Sequence, residues 1–337
     1  MRHLNILINV SLLSIFLSLS TSSYAQTTFT NFIAFGDSLS DTGNINSGLP
    51  NLPPPFYQNR ISNGPVGADY IAQSIGFNAT ASERGGNNYA VAGGNIVGSD
   101  REDFASQIDD YLSDTANQAD PGALYFVLMG GNDIRGLRSQ TSREMAEARI
   151  DEMISAYMLQ LGRLSSAGAQ RFLVTNVADI GRIPETLMRE SSDLGVVARV
   201  SLYSQIFNTR LSLALTEFSV PPNVQLVEFD LFSEFSAILD SPSSFGFNYF
   251  TIGCVEISSE NIFDLLASIV FPYAPECLVG LRFDEFVFFD NIHPTRATNS
   301  LIGEKMVALL ANASFSTPSD ASKGAVISAI SLLLLSD

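Results

Sequence analysis

Short apolar runs, rich in β-branched and aromatic residues, alternate along the chain with longer amphipathic segments. Runs of this kind favour strands when polar or glycine-containing turns bound them. Five strands are therefore predicted, at Phe32–Phe35, Asn88–Ala92, Leu124–Met129, Arg171–Asn176 and Val224–Phe229. The third and fourth runs are almost continuously apolar, which is typical of strands covered on both faces of a sheet.

The amphipathic segments between and after these runs predict helices. Residues 142–165 carry apolar side chains at mixed three- and four-residue spacing, with acidic residues early and Arg163 late. Residues 196–218 show a similar pattern. A last helix is expected to begin at Pro294, a residue suited to a first helical turn, and to run through Leu309. Strands that alternate with helices imply a parallel sheet with helices on both faces, so the pattern predicts an α/β fold.

The N-terminal segment stands apart from this alternation. Residues 1–25 combine Arg2, an apolar run, and the small residues Ser23 and Ala25, which is the pattern of a cleavable signal peptide. The apolar run is shorter than the roughly 18 residues of a spanning helix, and a buried N-terminal helix is the alternative. We therefore expect secretion to the extracellular space or the periplasm, and one mature domain over residues 26–313.

The C-terminal segment, residues 314–337, is polar at first and then apolar. Its apolar part is too short to cross a bilayer, so no transmembrane span is predicted in the mature body. Three interpretations remain open for this tail. The first is a sorting tail, the second is a weak lipid-anchor signal that attaches the protein to the cell surface, and the third is a helix that packs on the domain.

Residues 241–280 interrupt the alternation, and we interpret them as an insertion before the last helix. Its aromatic residues are expected either to cover part of a site or to form a small core of their own. The insertion contains both cysteines, Cys254 and Cys277. In an oxidising compartment an even pair indicates a disulfide, with two unpaired thiols as the alternative. Without a histidine cluster the pair is a poor zinc site, and we expect neither a metal nor a cofactor.

The charge balance restricts the partners. The chain has 18 basic and 35 acidic residues, for a formal net charge of −17. Such a surface repels phosphate groups, which excludes nucleic acid as a partner and disfavours electrostatic binding to anionic membranes.

Two short strings carry candidate chemistry. The string FGDSLSD places Ser38 where a predicted strand ends and a turn begins, and the string DNIHPT supplies Asp290 and His293. Because His3 lies in the predicted signal peptide, His293 is the only imidazole of the mature chain. A serine hydroxyl needs a base within hydrogen-bond reach, and that base needs an orienting group, so these three residues are candidates for a catalytic triad.

Two glycine-rich strings follow predicted strands and are candidates for oxyanion binding. They are NNYAVAGG, which ends with Gly93 and Gly94, and MGGND, which contains Asn132. Each string alone indicates only a turn. The carboxyl ends of parallel strands meet at one edge of a sheet, where ligands bind in open α/β folds. There the backbone N–H of Gly93 and the side-chain amide of Asn132 are expected to face a developing negative charge.

In their order along the chain, these four strings resemble the sequence blocks of the GDSL, or SGNH, hydrolase family. The resemblance spans residues 31–312, almost the whole mature chain. It assigns the nucleophile to Ser38, the oxyanion donors to Gly93, Asn132 and the Ser38 backbone N–H, and the acid and base to Asp290 and His293. Asp37 is expected to structure the serine turn rather than to react.

The resemblance implies a three-layer α/β/α sandwich, similar to flavodoxin, with a central parallel sheet of about five strands. The extended strings look most like the secreted bacterial lipolytic branch. This implies a carboxylic ester hydrolase that acts on a small-molecule or lipid ester, including contact with membrane lipid. A carbohydrate-acetyl esterase, an acyltransferase that uses the same acyl-enzyme, and a binding protein without the chemistry are the alternatives.

Overall fold

The computed structural model describes residues 28–45, 51–218, 223–256, 272–278, 280–313 and 315. The predicted signal peptide, residues 1–25, lies outside the described residues, as does the predicted tail, residues 314–337, except for Phe315. Among the helices within these ranges, none is long and apolar enough to cross a membrane.

A parallel sheet of four strands forms the centre of the molecule. Its strands are β1 (Phe32–Gly36), β2 (Leu124–Leu128), β3 (Arg171–Thr175) and β4 (Gln225–Phe229), side by side in that order. Every residue of β1, β2 and β3 is buried. Four of the five predicted strands are thereby confirmed, and so is the parallel α/β architecture.

The predicted strand Asn88–Ala92 is wrong as a regular strand, although its place beside β1 is correct. Ala34 N donates to the Asn87 carbonyl at 3.1 Å, and Tyr89 N donates to the Ala34 carbonyl at 2.8 Å. The Ala90 amide, however, donates to the side chain of Asn88 at 3.0 Å. The segment therefore runs parallel to β1, and on its outer side it bonds partly to the backbone of Thr80 and Ser82 and partly to side chains, in place of a regular second strand.

Helices cover both faces of the sheet and complete three layers. One layer contains α2 (Phe104–Asp114), α4 (Arg143–Ala167) and α6 (Val196–Phe218), and the other contains α1 (Gly67–Ser74), α7 (Leu231–Asp240) and α9 (Arg296–Asn312). In the described part of the chain, three short helices lie outside these layers: α3 (Gly131–Gly136), α5 (Pro184–Arg189) and α8 (Pro275–Leu278). The buried faces of the sheet and the long helices form one continuous hydrophobic core.

Two helix predictions are confirmed and one start is corrected. The helices predicted over 142–165 and 196–218 correspond to α4 and α6. The last helix begins at Arg296 rather than at Pro294, because Thr295 has an extended backbone and caps the helix by accepting the Thr298 N–H.

The insertion adds a second, two-stranded sheet. Its strand β5 (Tyr249–Gly253) pairs in parallel with β6 (Phe286–Phe288), which follows the insertion. Cys254 and Cys277 form the predicted disulfide, with their Cα atoms 5.3 Å apart. Cys254 is the residue directly after β5, and Cys277 lies in α8. The disulfide therefore connects α8 to the segment that lies against β6.

Candidate active site

Ser38 lies in a tight turn directly after β1. The backbone carbonyl of Asp37 accepts hydrogen bonds from the amides of Ser40 and Asp41, both at 3.0 Å. The Asp37 carboxylate accepts a further one from Leu39 at 2.9 Å. Ser38 itself is only 8% exposed, and within the turn Leu39 alone is half-buried, whereas Asp37, Ser40 and Asp41 are buried. Asp37 therefore holds the turn through both its backbone and its side chain.

The partners of Ser38 come from the turn that follows β6. Asp290 Oδ1 accepts the backbone N–H groups of Ile292 at 2.8 Å and His293 at 2.7 Å, which orients the carboxylate. His293 Nδ1 lies 2.7 Å from Asp290 Oδ2, and His293 Nε2 lies 2.8 Å from Ser38 Oγ. The structure thus brings into one hydrogen-bonded row three side chains that the sequence strings had suggested, although 255 positions separate the serine from the histidine.

Two further carboxylates are buried beside this row. Burial raises the pKa of Asp37 to about 6, although the Leu39 amide and the charge of His293 counteract the rise. Burial also raises the pKa of Asp133 to about 6; three backbone amides counteract this rise and the charge of Asp37 adds to it. Both carboxyls therefore change charge in the pH range in which an ordinary histidine titrates.

The predicted oxyanion donors lie in the serine turn, in the loop that contains Gly93 and at the start of α3. Asn132 is the second residue of α3, and its Nδ2 donates to the Gly94 carbonyl at 2.9 Å, which leaves the second hydrogen of that amide for a ligand. Gly93 is exposed and has a φ of +92°, a conformation that favours glycine. Within the described ranges, the backbone N–H groups of Ser38 and Gly93 donate to no protein acceptor. These donors are therefore free to bind a ligand.

A narrow apolar cleft opens beside Ser38. Asn132 and Arg135 contribute polar atoms to its wall, whereas most of the lining is aliphatic or aromatic. The larger apolar residues of the wall are Leu39, Leu128, Ile180, Ile183, Leu231, Phe235, Ile292, Pro294, Ile302 and Met306. Gly93 is not part of this wall. A hydrocarbon group is the kind of ligand that such a wall accommodates.

Three buried polar side chains hold the loops of the site, and the sequence analysis assigned no role to them. Asp41 accepts four backbone N–H bonds of 2.7–2.9 Å, one of them from Ala92. Asn88 donates to the Ser40 carbonyl at 2.7 Å, and Gln107 bonds both backbone groups of the last residue of β1. Asp41 and Asn88 lie within the strings FGDSLSD and NNYAVAGG, so their positions in the sequence could have indicated a structural role at the site. Gln107 lies in α2, outside these strings, and nothing in the sequence pattern indicated such a role for it.

The turn that contains Asp290 and His293 is held by hydrogen bonds from two sides. The Ser62 hydroxyl donates to the Pro294 carbonyl at 3.1 Å, and the Glu185 N–H donates to the Asn291 carbonyl at 2.9 Å. Burial acts to raise the pKa of the Glu185 carboxyl, but ion pairs with two arginines, one of them Arg135, lower it to about 2. Glu185 is therefore charged at neutral pH and ties α5 to α3 beside the cleft.

The described residues of the insertion, 241–280, do not line the cleft. Its aromatic residues Tyr249 and Tyr273 instead pack around Cys254 and Cys277, so they belong to a small core of their own. In the part of the chain that the structure describes, no three His, Cys, Asp or Glu side chains are grouped so that they could hold a metal ion.

The chain is similar to several known proteins. The family model described as GDSL-like lipase/acylhydrolase matches residues 32–306. A GDSL esterase/lipase of Arabidopsis thaliana is 28% identical over 330 residues, which cover 83% of this chain and 87% of the relative. A phosphatidylcholine-sterol acyltransferase of Aeromonas hydrophila is 25% identical over 82% of this chain and 88% of its own. A solved acetylxylan esterase of Geobacillus stearothermophilus aligns with a TM-score of 0.40 and 13% identity, over 85% of this chain and 96% of its own.

Proposed function

The chain belongs to the GDSL-like lipase/acylhydrolase family and is a carboxylic ester hydrolase, and we propose that it cleaves lipid esters through an acyl-enzyme formed on Ser38. One observation carries the proposal: Ser38, His293 and Asp290 form a hydrogen-bonded row at the wall of an apolar cleft. This geometry supports the proposal, because a serine nucleophile needs a base and an orienting group within hydrogen-bond reach and an acyl chain needs an apolar surface.

In the proposed mechanism Ser38 Oγ attacks the ester carbonyl carbon while His293 Nε2 takes its proton. Asp290 Oδ2 accepts the hydrogen on Nδ1, which selects the reactive tautomer and stabilises the imidazolium. The tetrahedral intermediate then collapses, and the leaving alcohol takes the proton from His293. Water attacks the acyl-enzyme in the same way and releases the acid.

The negative oxygen of the intermediate is bound by the backbone N–H groups of Ser38 and Gly93 and by the Asn132 amide. Support for this assignment comes from the free donors described above and from the Gly94 carbonyl, which orients the Asn132 amide. Loss of one such donor typically lowers kcat by about 10²–10³. We therefore expect a loss of that size in Asn132→Ala.

The first experiment tests the nucleophile. Ser38→Ala is expected to abolish both hydrolysis of a p-nitrophenyl ester and labelling by a fluorophosphonate. Ser40→Ala is the matched control, because within the described residues the buried Ser40 hydroxyl has no hydrogen-bond partner. Wild-type turnover by Ser38→Ala would contradict the mechanism.

The acyl part of the substrate is inferred from the apolar wall of the cleft. We expect kcat/KM to rise with acyl length in a series of p-nitrophenyl esters, because each buried CH₂ contributes about 0.8 kcal/mol. Activity confined to acetyl esters, and above all to acetylated xylan, would favour a carbohydrate-acetyl esterase instead.

A cleft variant locates the acyl chain. Ile302→Trp fills part of the cleft wall on α9 and is expected to lower kcat/KM for long acyl chains but not for acetyl esters. Ala308→Trp, on an exposed position of the same helix, is the control. Equal effects on short and long esters would place the acyl chain elsewhere.

Acyl transfer to an alcohol is the second candidate function, since the same acyl-enzyme can react with an alcohol instead of water. The similarity to the acyltransferase of Aeromonas hydrophila favours it. Product analysis with a phospholipid donor and a sterol acceptor separates the two. A sterol ester as the main product indicates the transferase, and free fatty acid indicates the hydrolase.

We also propose that the protein is secreted and acts on lipid outside the cytoplasm. The signal-peptide pattern of residues 1–25 supports this, and the disulfide suits an oxidising compartment. N-terminal sequencing of exported protein is expected to begin at Gln26.

A further inference from the structure

The segment of residues 92–97, which carries Gly93, has no regular secondary structure. Three buried carboxylates from neighbouring elements hold it instead: Asp41, Asp103 and Asp133 are 0%, 3% and 7% exposed. Asp103 holds the middle of the segment, because its Oδ1 accepts the Asn95 N–H at 2.9 Å. The conformation of this segment therefore depends on side chains outside it.

Asp41 joins the beginning of the segment to the serine turn. Its Oδ2 accepts the N–H groups of Ala92 and Ile45, both at 2.9 Å, and its Oδ1 accepts those of Gly43 and Asn44, both at 2.7 Å. Ala92 directly precedes Gly93. One carboxylate thus sets the distance between the loop that follows the nucleophile and the residue before the proposed oxyanion donor.

Asp133 holds the end of the segment from α3. Its Oδ2 accepts the Ile96 N–H at 2.9 Å, and its Oδ1 accepts the Val97 N–H at 3.3 Å. The preceding residue, Asn132, bonds the Gly94 carbonyl at 2.9 Å. Asn132 and Asp133, which are adjacent in α3, therefore hold the segment through hydrogen bonds on the carboxyl side of Gly93.

We propose that Asp41 and Asp133 are positioning residues that fix the backbone N–H of Gly93 for oxyanion binding. The proposal rests on the oxyanion role proposed for Gly93. An unrestrained glycine visits many backbone conformations, and a donor contributes to catalysis only when it is already in place as the charge develops. The two carboxylates supply that restraint from the elements that carry Ser38 and Asn132.

Substitution by asparagine keeps the size of each side chain and one acceptor oxygen. In Asp41→Asn the new NH₂ group faces two N–H donors, so two hydrogen bonds of 2.7–2.9 Å are lost. In Asp133→Asn the amide can replace the oxygen of the longer bond to Val97. We expect kcat to fall by about 10² in Asp41→Asn and about tenfold in Asp133→Asn, with KM within threefold, because the oxyanion exists only after attack.

Asp120→Asn is the matched control. Asp120 also accepts a backbone N–H, that of Gly122 at 2.8 Å, but it lies before β2 at the opposite edge of the sheet. Its kcat is expected to equal that of the wild type. Thermal melts of every variant establish that the protein assayed is folded, and Asp133→Asn decides the matter if Asp41→Asn does not fold.

Gly93→Ala separates positioning from a general structural effect. The added methyl group has room, since its nearest neighbour is 3.9 Å away, but the φ of +92° disfavours alanine and displaces the N–H. If Asp133 acts through Gly93, the double variant Asp133→Asn/Gly93→Ala has nearly the kcat of Gly93→Ala alone. Effects that multiply would overturn the proposal.

Two other results are informative. If Gly93→Ala lowers kcat but the folded asparagine variants keep wild-type kcat, positioning by the carboxylates is wrong and the oxyanion role of Gly93 stands. If Gly93→Ala itself keeps wild-type kcat, the oxyanion assignment is wrong and the positioning proposal fails with it, while the serine mechanism is still tested separately by Ser38→Ala.

Discussion

The buried carboxyl of Asp37 is expected to make the stability of this protein depend on pH in a measurable way. Burial raises its pKa from 3.8 to about 6. A raised pKa means that the folded state holds the proton more tightly than the unfolded state. The stabilisation is therefore fully present below pH 3.8 and is lost as the pH rises through 6. At 1.36 kcal/mol per pKa unit, the shift corresponds to about 3 kcal/mol.

Asp37→Asn removes this dependence. The asparagine oxygen can still accept the Leu39 N–H, whereas the new NH₂ group adds a cost that does not vary with pH. The informative quantity is therefore the difference in unfolding free energy between variant and wild type as a function of pH. We expect it to move by about 2.5 kcal/mol in favour of the variant between pH 4 and pH 7.5, because part of the stabilisation is already lost at pH 4. The pKa of Asp133 also falls when the charge of Asp37 is removed, which changes stability in the same direction.

Urea denaturation followed by circular dichroism in half-unit pH steps measures this difference, provided that the two proteins share one m-value. Asp100→Asn, which removes one negative charge from the exposed surface, controls for the change in net charge. A difference between variant and wild type that stays constant within about 1 kcal/mol from pH 4 to pH 7.5 would refute the reasoning.

Three further predictions concern the acid, the loops and the disulfide. In Asp290→Asn the Oδ1 atom keeps its two backbone hydrogen bonds, so the NH₂ group faces the imidazole of His293 and selects the wrong tautomer. We therefore expect kcat to fall by about 10⁴ while the melting temperature stays nearly unchanged. Gly130→Ala is expected to destabilise the protein by about 2 kcal/mol or more, because φ is +123° and the new Cβ would lie 2.9 Å from a buried ring. Gly136 lies in open space with φ at −61°, so Gly136→Ala is expected to stabilise the protein by about 0.5 kcal/mol. Equal melting temperatures of the two variants would contradict the argument. Replacing Cys254 and Cys277 by serine opens a loop whose ends are 23 positions apart and is expected to lower the unfolding free energy by about 3 kcal/mol. An unchanged urea midpoint would contradict this prediction and show that the loop is restrained without the disulfide.

Much of the fold follows from local pattern. The runs at Leu124 and Arg171 are almost continuously apolar because their strands are covered on both faces, and the structure places both in the interior of the sheet. The segment Asn88–Ala92 has the composition of a strand, yet its outer edge bonds to the irregular backbone at Thr80 and Ser82 and to side chains rather than to a regular strand. The strand β6 was missed because it has only three residues. The strand β5 was missed because its residues are mostly exposed or half-buried, which leaves no alternation to detect.

The order of the main elements can be predicted from the sequence, and so can the four strings that contain Ser38, Gly93, Asn132 and the Asp290–His293 pair. These are local properties, since periodicity and turn residues act over a few positions. Three contacts become visible only in the folded chain: His293 lies 2.8 Å from Ser38, an apolar cleft opens beside them, and the Asp41 carboxylate bonds the Ala92 N–H. Such contacts depend on strand register, helix packing and side-chain rotamers, which arise only when segments far apart in the chain compete for the same space.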